Sequence, residues 1–144
     1  MRFKFLTVLL LALFINSCSS SSPDNNENLP NVPVNVTLSL NSPQYQNLLV
    51  PGGWVYASGG IKGLIVYNFN GTEFAAFDRA CPHVSVSEAC SQMIVESSIK
   101  MVCPCDDAEF NILNGAPLTT GITVGARAYR AVLVSSSTLT ITNF

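Results

Sequence analysis

Four of the five cysteines and the only histidine of this 144-residue chain lie between Cys81 and Cys105. They gather at two short poles, Cys81-Pro82-His83 and Cys103-Pro104-Cys105-Asp106, with Cys90 between them. Each pole offers a thiol and, two or three residues further on, a second donor: the imidazole of His83 or the carboxylate of Asp106. Thiolates and imidazoles are good ligands for iron and zinc, whereas a carboxylate suits harder ions. Because the single histidine belongs to this loop, no Ser-His-Asp arrangement can be assembled elsewhere, and no glycine-rich phosphate cradle is present. Hydrolase and nucleotide-binding activities fall away.

The surrounding chain must bring the two poles together. Between them, Met93, Ile94 and Val95, then Ile99, Met101 and Val102, form an apolar run long enough to travel out and return, so the poles can face each other. Ahead of them, residues 61–69 are dense in β-branched and aromatic side chains, Asn70-Gly71 is a strong hairpin signal, and residues 73–78 return. That hairpin delivers Cys81 into a loop at its end. Upstream, Val34, Val36, Leu38 and Leu40 alternate with Asn35, Thr37 and Ser39, the pattern of a strand with one buried face. Residues 45–50 read as a short strand or helical turn. Pro51-Gly52-Gly53 is a turn, and 54–57 a further strand with Trp54 in the core.

Residues 85–91 read as a loop and residues 100–103 as the returning strand. Residues 109–113 form another strand before a turn at Asn114-Gly115, and residues 128–134 and 138–141 pair across 135–137. Phe110 and Tyr129 are expected in the core. Many short strands joined by turns, with no amphipathic helix, predict an all-β sandwich or small barrel.

The poles and their flanks resemble the Rieske iron–sulfur domain, whose signature is Cys-x-His followed by Cys-x-x-His in a Cys-Pro-Cys-His-Gly context. The likeness extends from the incoming hairpin, residues 59–83, to the outgoing Asn114-Gly115-Ala116-Pro117 turn and the last two strands, covering roughly residues 45–144. The resemblance implies an antiparallel β fold with a loop-built cluster-binding subdomain and a 2Fe-2S cluster. Cys81 and Cys103 would hold one iron, His83 would be a ligand of the second, and Cys90 with Cys105 would form a bracing disulfide. Asp106 stands where the family has its second histidine. Asp107-Ala108 replaces the glycine and serine that follow it, and Ile122 falls near the place of a shielding proline.

Four readings of the site follow. A 2Fe-2S cluster is retained on Cys81, His83 and Cys103 with Asp106 or a water as the weaker ligand, and the domain carries single electrons to an unknown redox partner protein. Alternatively the cluster is lost and Cys81–Cys103 and Cys90–Cys105 disulfides leave a stapled scaffold. A single zinc could take Cys81, His83, Cys103 and Asp106 as a tetrahedral set. Cys103 and Cys105 could exchange as a dithiol, although nothing beside them lowers a thiol pKa. The first is the expectation taken forward, for an electron-transfer component rather than a catalyst in its own right.

Composition fits an exported domain. Seven basic residues stand against nine acidic ones, so nothing attracts a phosphate backbone and nucleic acid is not an expected partner. Residues 1–17 place Arg2 and Lys4 ahead of an apolar run that is short for a membrane span, the order of an export signal. Ile15-Asn16-Ser17 before Cys18 resembles the cleavage box of bacterial lipoproteins, which implies a lipid on Cys18 as the sole membrane attachment. Residues 18–33, rich in Ser, Asn and Pro, read as a flexible tether, and residues 34–144 as the domain. The expected location is the cell envelope with the domain outside the cytosol, where thiols pair or bind metal.

Overall fold

The computed structural model describes residues 28–144. The expected leader and Cys18 lie outside these residues. Nine strands make up almost all of the regular structure: β1 (Asn35–Ser39), β2 (Trp54–Ala57), β3 (Leu64–Asn68), β4 (Phe74–Asp78), β5 (Ile94–Glu96), β6 (Lys100–Cys103), β7 (Ala108–Asn111), β8 (Ala128–Ser135) and β9 (Thr138–Thr142). Six form an antiparallel sheet in the order β1-β9-β8-β4-β3-β2, curled into a half-barrel, and β5-β6-β7 form a smaller sheet on the loops that follow β4. The expected all-β, Rieske-like architecture is the one observed. Among the described residues no helix is long and apolar enough to cross a membrane.

The β3–β4 hairpin is the wall between two cores. Side chains alternate across a strand, and both hairpin strands are apolar on both faces. Leu64, Val66, Phe74 and Ala76 point into the half-barrel with Leu38, Leu48, Val55, Leu139 and Ile141. Ile65 and Phe77 point the other way, into a core shared with Met93, Met101, Phe110, Ile112, Cys81 and Cys103. The hairpin turn sits at Asn70-Gly71 but uses a five-residue connection, since Asn68 pairs with Phe74. Oδ1 of Asn70 accepts from the backbone of Thr72 and Glu73, and Gly71 has a φ of 94°, which glycine adopts without Cβ strain.

Residues 61–63, expected as the start of β3, are instead a turn. The amides of Ile61 and Lys62 donate to the carboxylate of Asp78 at 2.6 and 3.2 Å, which holds this segment across the hairpin rather than in the ladder. Residues 45–50 resolve into a 3₁₀ turn, Pro43–Leu49, that buries Leu48. The segment ahead of β1, expected as the end of the tether, lies against the domain. Arg127 donates to the carbonyls of Pro30 and Leu29 at 2.6 and 3.0 Å, and Asn143 bonds the backbone of Val34 and Val32.

Candidate functional site

Buried Asp78 sets the position of the first pole. At the end of β4 its carboxylate accepts from the amides of Ile61, Lys62 and Ala80 and from the hydroxyl of Tyr129, the last at 2.8 Å. A buried carboxylate is tolerable only when its lone pairs are met in this way. Burial first, and then the bond to Asp78, push the Tyr129 hydroxyl well above its ordinary range, so it remains a donor. The chain then turns at Ala80, which bridges to Gln92, and the Cys81 amide donates to the Ser91 carbonyl at 2.9 Å. Arg79 closes the base of this loop by donating to the Met93 carbonyl while its guanidinium lies 3.8 Å from the centroid of the Tyr56 ring.

The second pole is the turn between β6 and β7, where Cys103 pairs with Ala108. The Asp107 amide returns to the Cys103 carbonyl at 2.9 Å, and Asp107 takes a φ of 59°. This left-handed position disfavours most side chains but admits aspartate more readily than bulky ones, so the backbone of the turn is kept without a glycine. Ile122 is partly buried and packs against the core that contains Cys81 and Cys103.

The poles meet, and their sulfurs join. Cys81 is bonded to Cys103 with their Cα atoms 5.7 Å apart, and Cys90 to Cys105 with theirs 4.9 Å apart. Both spacings fall within the ordinary range for disulfides. The inner bridge is fully buried, whereas Cys90 is exposed and Cys105 half-buried. Beside the inner bridge, Nε2 of His83 lies 2.7 Å from Oδ2 of Asp106, and Oδ1 of Asp106 accepts from the Ala108 amide at 3.2 Å. Slight burial raises the Asp106 pKa, but the His83 and Ala108 hydrogen bonds together outweigh it and hold the carboxyl below its ordinary range. Nδ1 of His83 is buried with no hydrogen-bond partner among the described residues.

This arrangement corrects the expectation of a single-electron carrier. A 2Fe-2S centre of this type needs two thiolates on one iron and two imidazoles on the other. Here the two sulfurs hold each other, one imidazole is present, and both oxygens of the carboxylate already accept hydrogen bonds. The residues do not fit the cluster, and the incomplete ligand set is consistent with its loss.

Asp78 and its partner Tyr129 had no assigned role in the sequence reading beyond Tyr129 as core. The one available signal was a lone acid at the end of the apolar run Phe74 to Phe77, directly ahead of Arg79-Ala80-Cys81.

No protein-family model and no curated protein matches the chain. Among solved structures it is similar to the cyanobacterial plasma membrane Rieske protein from Synechocystis PCC 6803, at 20% identity and a TM-score of 0.52, covering 77% of this chain and 98% of that one. It is also similar to a chain in the complex of reduced oxygenase and oxidized ferredoxin in carbazole 1,9a-dioxygenase, at 17% identity and a TM-score of 0.50, covering 75% of this chain and 93% of that one. These likenesses show a Rieske-like fold.

Proposed function

We propose that this chain is a cluster-less Rieske-fold domain, stapled by two disulfides and used as a binding or structural scaffold in the cell envelope. The buried Cys81–Cys103 bridge is the observation that carries this reading, because it occupies both sulfurs that iron would need. Closing loops of this size is worth about 3 kcal/mol per bridge in the chain-entropy account. The staples therefore supply rigidity to the loops that carry the two poles. Disulfide pairing also suits a compartment outside the cytosol.

Export and attachment rest on the amino-terminal sequence. Residues 1–17 act as the signal, Cys18 carries the lipid, and the polar stretch after it links anchor to domain. The partner of the scaffold is a protein or ligand of the envelope, met outside the cytosol.

Anaerobic purification followed by iron and acid-labile sulfide analysis tests the cluster-less reading. The expected result is protein without iron whose four domain cysteines resist alkylation until a reductant is added. Stoichiometric iron and sulfide, with a paramagnetic signal after dithionite reduction, would overturn it. Labelling with a fatty-acid analogue that disappears in Cys18→Ala supports the anchor, and labelling that persists rejects it.

A further inference from the structure

His83 carries a donor atom that the disulfide staple leaves unused. An ionised carboxylate offers only acceptors, so the nitrogen facing Oδ2 of Asp106, Nε2, must bear the proton. In the neutral ring the lone pair then sits on Nδ1, the atom that is buried without a partner among the described residues. A buried polar atom left unsatisfied is rare and costs free energy, so it calls for a reason. Close by, one ring nitrogen of His83, the Cys103 sulfur and a carboxylate oxygen of Asp106 all lie within 4.8 Å of one another. The Cys81 sulfur is joined directly to that of Cys103.

Resting on the disulfide reading above, we propose that the two loop tips form a redox-gated site for a single soft divalent ion of the zinc class. While the Cys81–Cys103 bond is closed the site has too few donors. When an external dithiol opens it, the Cys81 and Cys103 thiolates and Nδ1 of His83 take the ion. Asp106 is a positioning residue in this site, since both of its oxygens are engaged, one by Nε2–H and one by the Ala108 amide. A carboxylate on the far nitrogen of a metal-bound histidine fixes its tautomer and orientation. The fourth position of a tetrahedral ion is left to water or to an added ligand.

The step balances. Thiolate of the dithiol attacks one sulfur of the bridge, and the mixed disulfide is then resolved by the dithiol's second thiol. The dithiol loses two electrons and becomes a disulfide, Cys81 and Cys103 gain them, and the two protons are released when the thiolates bind the ion. The order of opening follows exposure. Exposed Cys90 and half-buried Cys105 are reached first, and their release frees the loop above the fully buried inner pair.

The test uses the full-length chain, with cobalt(II) as the spectroscopic probe. Before reduction, no cysteine of the domain should be alkylated and no thiolate-to-cobalt charge-transfer band should appear. Alkylation of Cys81 and Cys103 at this stage would sink the staple reading itself. After anaerobic reduction with a phosphine, which does not compete for the ion, the chain should bind a single cobalt with charge-transfer and tetrahedral absorption that zinc displaces.

The bands should persist in Cys90→Ala/Cys105→Ala, vanish in Cys81→Ser/Cys103→Ser, and require at least about tenfold more cobalt in His83→Ala. Asp106→Asn should keep the spectrum, weaken binding about 10- to 100-fold, and shift the His83 ring-nitrogen resonances of the oxidised chain away from the single tautomer. A reduced wild-type chain without cobalt bands, folded or unfolded, overturns the metal site and leaves the staple untouched. Bands that survive loss of Cys81 and Cys103 overturn it as well.

Discussion

The half-barrel and the small sheet bury their residues by different means. In the half-barrel, alternating strands from the whole length of the chain converge on aliphatic side chains, and β1 pairs with β9 across almost the full described sequence. The small sheet draws on three short strands whose outer member, β5, has no fully buried residue. Its core includes two cysteines, and its loops are closed by two covalent bridges. Pattern and area alone build the first region, whereas the second combines a buried core with two covalent bridges across its loops. The two regions meet along the β3–β4 wall, at the carboxylate of Asp78 at its edge, and at β2, where Trp54 packs on the second core and the Tyr56 hydroxyl accepts from the Val95 amide.

Changes at that shared edge should have the largest effect. Asp78→Ala leaves the Ala80 amide and the Tyr129 hydroxyl buried without an acceptor, and we expect a loss of about 3–5 kcal/mol in urea unfolding that lowers both regions together. Tyr129→Phe should cost about 1–2 kcal/mol. Little extra loss is expected when it is combined with Asp78→Ala, since the two form one interaction.

Next come changes that separate the regions. Cys81→Ala/Cys103→Ala should cost about 3 kcal/mol, with a further increment for the cavity left beside Met101 and Phe110. Cys90→Ala/Cys105→Ala, at the exposed bridge, should cost somewhat less. In hydrogen exchange, either pair should release amides of β5–β7 first and leave β3, β4, β8 and β9 protected. Equal loss across both sheets would show that the staples serve the whole fold rather than its weaker lobe. Leu64→Ala is the converse experiment, expected to cost about 2–5 kcal/mol and to open both regions at once.

The smallest effect concerns Asp106. Its folded-state pKa is depressed, so its contribution to stability is present above the unfolded value of about 3.9 and is lost as pH falls through the folded value. Half-exposed at the surface, the group is screened by solvent, so the change in stability should be slight. The titration itself is readable by carbon NMR of the carboxyl. His83→Ala should move the Asp106 midpoint back up toward the ordinary value.

Much of the fold was legible because its strands obey a period of two. Val36, Leu38 and Leu40 announced β1, and the Asn70-Gly71 signal located the hairpin that ends at the site. Other features depend on partners far along the chain. Ile61 and Lys62 read as strand by composition, yet the acceptor that bends them into a turn is Asp78. β5 is short and lies at an edge, so neither burial nor alternation marked it clearly.

At the site, residue types alone cannot say whether two thiols hold iron or each other, because both uses require the same approach of the two poles. Nor could the sequence show that the oxygens of Asp106 accept from His83 and from the Ala108 amide.

The grip of Arg127 and Asn143 on the segment before β1 also fixes how far the domain can reach. Arg127 clasps the Leu29 and Pro30 carbonyls, so the described chain is held against the domain from Leu29 rather than from Val34. The eleven-residue step from Cys18 to Leu29 can span at most roughly 40 Å. If Cys18 carries the proposed lipid, the domain would be held within that distance of the lipid surface, and a partner would have to reach it there. Arg127→Ala would let out the remaining residues and widen the volume the domain can sweep.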